Sequence, residues 1–235
     1  MINWRDTGLI IDYRRHGETS AIIEIFSKEH GRHAGVVRGG ASRKNAPSLQ
    51  AGHIVTAEFS ARLEEHLGTM KIETLESHVA KLLADPMRLA IFQSICALIK
   101  FGMTDRDPHP KLYQASLAWL ESEHPVAAYI EWELILLSEA GFHLELDKCA
   151  VTGARENLSF ISPKTGRSVT REAAGEWADQ LLPYSTVFIG DPNGNREDAL
   201  KTTGYFLTHW LAQMVGKHEL PKARGRIIEL LSRRA

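Results

Sequence analysis

The sequence predicts an α+β protein: a five-stranded N-terminal barrel, then a mainly α-helical domain that carries a small irregular insertion. Three observations predict it. Five short segments with period-two or β-branched character crowd into the first 76 residues. Beyond residue 77 the apolar spacing becomes helical. Between about 142 and 170, Gly153, Pro163 and Gly166 interrupt any regular period.

The strands come in order. Gly8-Leu9-Ile10-Ile11-Asp12-Tyr13 is rich in β-branched and aromatic residues. Thr19 to Phe26 places Ala21, Ile23 and Ile25 on one face. Gly31 to Arg38 follows a glycine turn. In His53 to Ala61, Val55, Ala57, Phe59 and Ala61 alternate with Ile54, Thr56, Glu58 and Ser60, giving one apolar face. Met70 to Glu76 is the fifth. Five such strands suit a small closed barrel, for which the OB-fold is the common solution. Residues 1–76 are thus expected to be an OB-fold nucleic-acid-binding domain, and 77–235 a helical domain.

The helices follow. Asp85-Pro86 leads the apolar run Met87 to Met103, with proline suited to a first turn. Pro108 and Pro110 break the chain before a short helix, Leu112 to Glu121. Pro125 opens another, with Ile130, Leu134 and Leu137 at helical spacing and Gly141 as its stop. In the insertion a small hairpin is expected at Leu158 to Ile161. Helix is expected again over Arg171 to Leu182 and over Glu197 to Val215. In the latter, Leu200, Gly204, Leu207, Leu211 and Met214 make one stripe. Lys222 to Arg234 is the last helix.

Composition limits the function classes. A net charge of −1 over 235 residues names no partner, so any polyanion site needs local clustering. Two cysteines, Cys96 and Cys149, are too few for a disulfide framework or a four-thiolate metal site. No basic-then-apolar leader opens the chain, and no stretch reaches the roughly 18 apolar residues that span a bilayer. A cytoplasmic protein is expected.

Clustering is found between Lys28 and Gln50, where Lys28, Arg32, Arg38, Arg43 and Lys44 face one acid, Glu29. Arg38-Gly39-Gly40-Ala41-Ser42-Arg43-Lys44 reads as a flexible loop able to approach a phosphate chain. Arg14 and Arg15 are expected in the first strand-to-strand turn. Loops and one face of an OB barrel form its usual nucleic-acid surface. The candidate DNA-binding residues are therefore Arg14, Arg15, Arg32, Arg38, Arg43 and Lys44, with Arg62 and Lys71 as barrel-face contacts. Lys222, Arg224 and Arg226 form a secondary set. Arg233 and Arg234 are already explained by the dipole at a helix C-terminus.

Other patterns fail on chemistry. Gly35 to Gly40 has P-loop glycine spacing, but Ala41 stands where the lysine belongs. Asp191 to Asn195 begins like a calcium loop, yet Arg196 and Thr202 occupy the positions that need glycine and glutamate; the segment reads as an Asx turn leading into a helix. His16, His30 and His33 are expected to face solvent or phosphate and to hold no metal. Glu64-Glu65 need not converge on a substrate. No nucleophile triad is present, so no enzyme and no cofactor are expected. A solvated basic loop without a partner is the competing reading of the cation cluster. The same residues also suit an RNA-binding barrel protein or a protein-interaction adaptor.

The run Gly8-Leu9-Ile10-Ile11, Gly17-Glu18-Thr19-Ser20-Ala21-Ile22, Phe26 to Gly31, Val36-Val37-Arg38-Gly39-Gly40 and Leu49-Gln50 resembles the N-terminal barrel of RecO recombination mediators. The resemblance implies an OB barrel with a helical domain. It implies recombinational DNA repair: binding of single- and double-stranded DNA, strand annealing, and work with RecR to load RecA onto strands coated by single-stranded DNA-binding protein (SSB). It implies a bacterial, nucleoid-associated location and no membrane partner. Many members carry a zinc module with two Cys-x-x-Cys pairs. Here Cys149 matches the first position, while Thr152, Thr170 and Ala173 take the other three. The insertion is then degenerate zinc-finger-like, binds no zinc, and relies on packing through Phe160, Ile161 and Val169.

Overall fold

The computed structural model describes residues 1–63 and 66–233. Glu64, Glu65 and Arg234 lie outside the described residues. The chain forms two compact units, Met1–Leu117 and Ala118–Ala235. Among the described residues, no helix is long and apolar enough to cross a membrane.

The first unit is built on a closed barrel of β1 (Ile2–His16), β2 (Ser20–Ser27), β3 (Gly31–Val37), β4 (His53–Ala61) and β5 (Thr69–Ser77), in the order β1-β2-β3-β5-β4. Four of the pairings are antiparallel; β3 meets β5 in parallel at Val36 and Thr69, which closes the ring. The expected inward faces hold. Ala21, Ile23 and Ile25 of β2 are fully buried, as are Val55 and Ala57 of β4, with Phe59 and Met70 close behind. The first strand is longer than its sequence suggests. Its first half pairs with β4 and its second half with β2. A register shift between Ile10 and Asp12 gives the local bend that lets one strand serve both edges.

Two helices follow within this unit, α1 (Val79–Ala84) and α2 (Pro86–Gly102). Asp85 caps α2 as expected: its carboxylate accepts from the Met87 and Arg88 amides, and Pro86 takes the first helical position. The helix α3 (Pro110–Glu121) comes next.

In the second unit, α4 (Pro125–Glu139) ends before Gly141, whose φ of 90° is a left-handed conformation costly for other residues. The insertion is more regular than predicted. It is a four-stranded sheet, β6-β8-β7-β9, of β6 (Glu145–Cys149), β7 (Leu158–Ile161), β8 (Arg167–Thr170) and β9 (Leu182–Pro183). The strands are four or five residues or fewer, too short for sequence period to register. The helix expected over 171–182 is also corrected. Only α5 (Arg171–Ala174) is α-helical, and Gly175 at φ 49° turns the chain into a 3₁₀ segment over Gly175–Gln180.

Asn195 caps α6 (Arg196–Phe206) by accepting from the Asp198 amide, which fulfils the Asx-turn reading. Leu200, Leu207 and Leu211 are buried as predicted, but Met214 is 51% exposed. The helix continues as a π-helical stretch over Leu207–Ala212, and the extra residue in that turn rotates Met214 off the stripe. The last helix is α7 (Lys222–Ser232).

Candidate nucleic-acid interface

The segment after β3 is a braced turn and not the flexible loop expected. Ala41 N donates to Thr19 O at 2.9 Å, Arg15 Nη2 to Ala41 O at 3.1 Å, and Asn45 Nδ2 to Gly39 O at 3.1 Å. Gly39 has φ 69°. Gly40 is needed for a different reason: a β-carbon there would lie 2.9 Å from Ala21 Cβ and 3.0 Å from the Val37 oxygen. Glycine thus lets the turn pack against β2, and the packed turn presents Arg38, Arg43 and Lys44 to solvent.

That turn borders a groove of about 780 Å³ along the β3–β5 seam. Arg38 and Lys71 lie on its wall with Asn45, Ser48, Ser60, Thr69 and Thr74, over apolar residues that include Val36 and Ile72. The parallel pairing of Val36 with Thr69 brings these two cations together although they are far apart in sequence. The hydroxyl residues of the wall carried no signal in the sequence, because single serines and threonines in strands and turns are ordinary.

The remaining candidates divide. Arg14 and Arg15 lie in β1, paired with Ile22 and Ala21, and not in the turn expected; like Arg62 they are exposed. Arg15 is tied to the turn through Ala41, while Arg14 sits one residue away and so points from the other side of β1. The ion pairs of the barrel use Arg5, Lys28, Arg32 and Lys100. Among the described residues, no carboxylate partner engages Arg14, Arg15, Arg38, Arg43, Lys44, Arg62 or Lys71.

Arg32 is corrected. Its guanidinium is bound at 3.0 Å to Glu24 and at 2.5 Å to Asp105, and its side chain is 16% exposed. Lys100 extends the network by bridging Glu24 to Asp12. Burial raises the Glu24 pKa, against the pull of Arg32 and Lys100. Arg32 therefore neutralises protein carboxylates and has little charge to offer a strand.

Arg224 is corrected for the same reason. It is 5% exposed and pairs with Glu133 inside the second unit. In the same helix Arg226 is exposed and bound to Glu229 at 2.8 Å, and Lys222 is exposed.

Of the histidines, His30 and His33 are placed differently from expectation, and His16 is placed as expected. His16 faces solvent. His30 stacks on Trp4 at 4.2 Å and bonds Asp6 at 3.1 Å. His33 is buried edge-on between Trp4 and Phe59, with neither ring nitrogen hydrogen-bonded. Burial, helped by Arg106 and His30, lowers its pKa to about 4.

The insertion does not fit a closed zinc site. Of the four positions, Cys149 alone supplies a thiol. Its sulfur lies 3.9 Å from the Thr170 hydroxyl and accepts from the Thr170 amide at 3.5 Å. The Thr170 hydroxyl in turn accepts from the Ala173 amide at 3.3 Å. Hydrogen bonds thus link three of the positions a metal would join, and a neutral hydroxyl and a methyl cannot replace thiolates. Packing adds Val169, Ala174, Leu158 and Phe160 around Cys149, and the Arg171 guanidinium lies 5.5 Å from the Phe160 ring centre.

Comparison with known proteins identifies the lineage. The profile "Recombination protein O N terminal" matches residues 1–78, and "Recombination protein O C terminal" matches residues 83–223. The DNA repair protein RecO of Ruegeria sp. (strain TM1040) is 49% identical, over 99% of this chain and 100% of that protein. The DNA repair protein RecO of Cereibacter sphaeroides (strain ATCC 17029 / ATH 2.4.9) is also 49% identical, with the same coverage. That of Roseobacter denitrificans is 44% identical, again over 99% and 100%. With both profiles matched in chain order and full-length relatives near half identity, the chain belongs to the RecO family of DNA repair proteins.

Proposed function

We propose that the protein is a non-enzymatic mediator of recombinational repair. It binds single- and double-stranded DNA, promotes annealing and, with RecR, helps load RecA onto SSB-coated strands. It works in the bacterial cytoplasm, associated with the nucleoid, and needs no cofactor.

The observation that carries this reading is the groove in which Arg38 and Lys71 share a wall beside the Arg43–Lys44 turn, with no carboxylate on that wall among the described residues. Cations there neutralise phosphates and release counterions, so affinity falls with salt. Phosphate contacts carry no sequence information, which suits a mediator that must act on any strand. The wall holds cations, hydroxyls and an amide, a set for holding a backbone; among the described residues it offers no histidine, cysteine or carboxylate to act as general base.

The test is annealing of complementary oligonucleotides coated with SSB, with and without RecR, over a range of salt. Faster annealing that fades with salt supports the reading. Absence of DNA binding even at low salt overturns it.

A second reading, a protein-interaction adaptor, is favoured by one feature. An apolar groove of about 490 Å³ runs along α1 and α2, lined by Leu82, Leu83, Leu89, Phe92 and Ala97, and Leu83 is 65% exposed. An adaptor alone predicts no salt-sensitive nucleic-acid binding, so the same salt series separates the two.

A further inference from the structure

We infer that the barrel groove grips a single strand by its sugar–phosphate side and leaves the bases turned to solvent, an inference that rests on reading the groove as the strand site. OB barrels that bind single strands commonly stack successive bases on aromatic side chains. Among the described residues, this groove has no such platform. Its walls are Val36, Val37, Leu49, Met70 and Ile72, the short polar residues Asn45, Ser48, Ser60, Thr69 and Thr74, and the cations Arg38 and Lys71.

The strands of the barrel do carry tryptophan, tyrosine and phenylalanine rings, and these are committed elsewhere. Trp4 is stacked between His30 and Phe59, with ring centres 4.2 and 5.0 Å away. His33 stands edge-on to the same pair, Trp4 and Phe59. Phe26 is fully buried against Tyr113. Tyr13 turns its hydroxyl to the Gly40 carbonyl at 3.4 Å. None of these rings lines the groove.

What remains on the wall matches a backbone. Hydroxyl and amide donors suit phosphate and sugar oxygens, the two cations suit phosphate charge, and the apolar floor suits the deoxyribose carbons. Arg38 is planar enough to stack, yet its fork of donors fits a phosphate in two-point contact. A strand held this way keeps its Watson–Crick edges free. A second strand can then pair with it while the neutralised phosphates no longer repel it. Annealing follows from the composition of the wall.

The experiment uses the full-length protein and two competitors of equal length against a labelled oligothymidylate. One is oligothymidylate and the other an abasic tetrahydrofuran phosphodiester strand. The expected result is that the abasic strand competes within about threefold of the natural one, and that bound thymines keep their reactivity toward permanganate. Loss of stacking would instead weaken the abasic strand about fivefold or more per base. That weakening, or protected thymines, overturns the inference. The R38A/K71A double variant separates the two levels. If it lowers binding of both strands alike, the groove is the strand site and the inference stands. If it binds both as the parent does, the groove reading fails and the inference with it. If it binds natural strands poorly while the parent rejects abasic ones, only the outward placement of the bases fails.

Discussion

Arg224 grips Glu133 in a two-point contact, Nε to Oε1 at 2.7 Å and Nη2 to Oε2 at 3.0 Å, with the carboxylate wholly buried. Arg224 Nη2 also donates to Leu200 O at 2.8 Å, and the Thr203 hydroxyl donates to the same carboxylate. One ion pair thereby ties α4, α6 and α7. Burial disfavours the arginine charge, and Glu133 more than restores it, so the guanidinium pKa is raised. Removing either partner leaves a buried charge unmatched. Arg224→Ala or Glu133→Ala should each cost about 3–5 kcal/mol in urea unfolding. The double change Glu133→Leu with Arg224→Met should recover much of that loss.

The same contact shows why part of the site was illegible. Arg224 lies between Lys222 and Arg226 and reads as one more surface cation, because its partner is 91 residues away. Arg32 misled for the same reason: Asp105 reaches it from outside the barrel strands. Period-two faces such as Ala21, Ile23 and Ile25 were readable because burial there depends on alternation alone. The first half of β1 was hidden by Asp6, a half-buried carboxylate that interrupts the apolar pattern. It is retained because it accepts from the Thr7 amide, the Glu29 amide and His30. The groove was legible only in part. Closing five strands in the OB order implies that β3 and β5 meet, and so that Arg38 and Lys71 share a surface, but nothing local marks Ser60 or Thr69 as their companions.

His33 should make the barrel acid-sensitive. Its folded pKa of about 4 lies below the ordinary 6.5, so the unfolded chain takes up the proton first. Its contribution is fully present above about pH 6.5, declines as the pH falls toward 4, and changes no further below that. The loss over this window is about 3 kcal/mol. His33→Phe should flatten that part of the stability profile. Asp6 acts at lower pH: burial raises its pKa, but hydrogen bonds from His30, Ser27 and two amides outweigh that and hold it below 3.8. Its contribution is lost only as pH falls through that lower value. Denaturant midpoints at a series of pH values check both.

Gly40→Val should damage stability and binding together. The added carbons meet Ala21, Leu49 and the Val37 oxygen at about contact-forbidding range, so the turn must shift and carry Arg38, Arg43 and Lys44 with it. The expected cost is about 1–3 kcal/mol, with weaker binding to single strands by fluorescence anisotropy. Gly17, with open space around its position, is the comparison: its substitution strains only a left-handed φ of 62° and should leave the groove intact.

Chelation should not unfold the insertion. Its centre is held by hydrogen bonds around Cys149 and by apolar packing. Purified protein should carry far less than one zinc per chain by elemental analysis, and EDTA should leave the melting temperature unchanged. Stoichiometric zinc, or melting that drops with chelator, would refute this account of the insertion.

The last prediction separates cations that bind strands from cations that hold the barrel. Arg38, Arg43 and Lys44 are exposed and lack carboxylate partners among the described residues, so changing all three to alanine removes charge without opening the fold. DNA affinity should fall, and the log–log dependence on salt should flatten by about 2 to 3, since each lost phosphate contact removes about 0.7 to 0.9. The melting temperature should stay close to that of the parent. Arg32→Ala should behave in the opposite way. It strips the counter-charge from Glu24 and Asp105, so it should lower stability while leaving the salt slope near the parental value. Salt titrations and melting curves on the two variants give four readings. If Arg32→Ala flattens the slope and the triple change does not, strand binding lies on the acidic clamp and the groove loses its assignment.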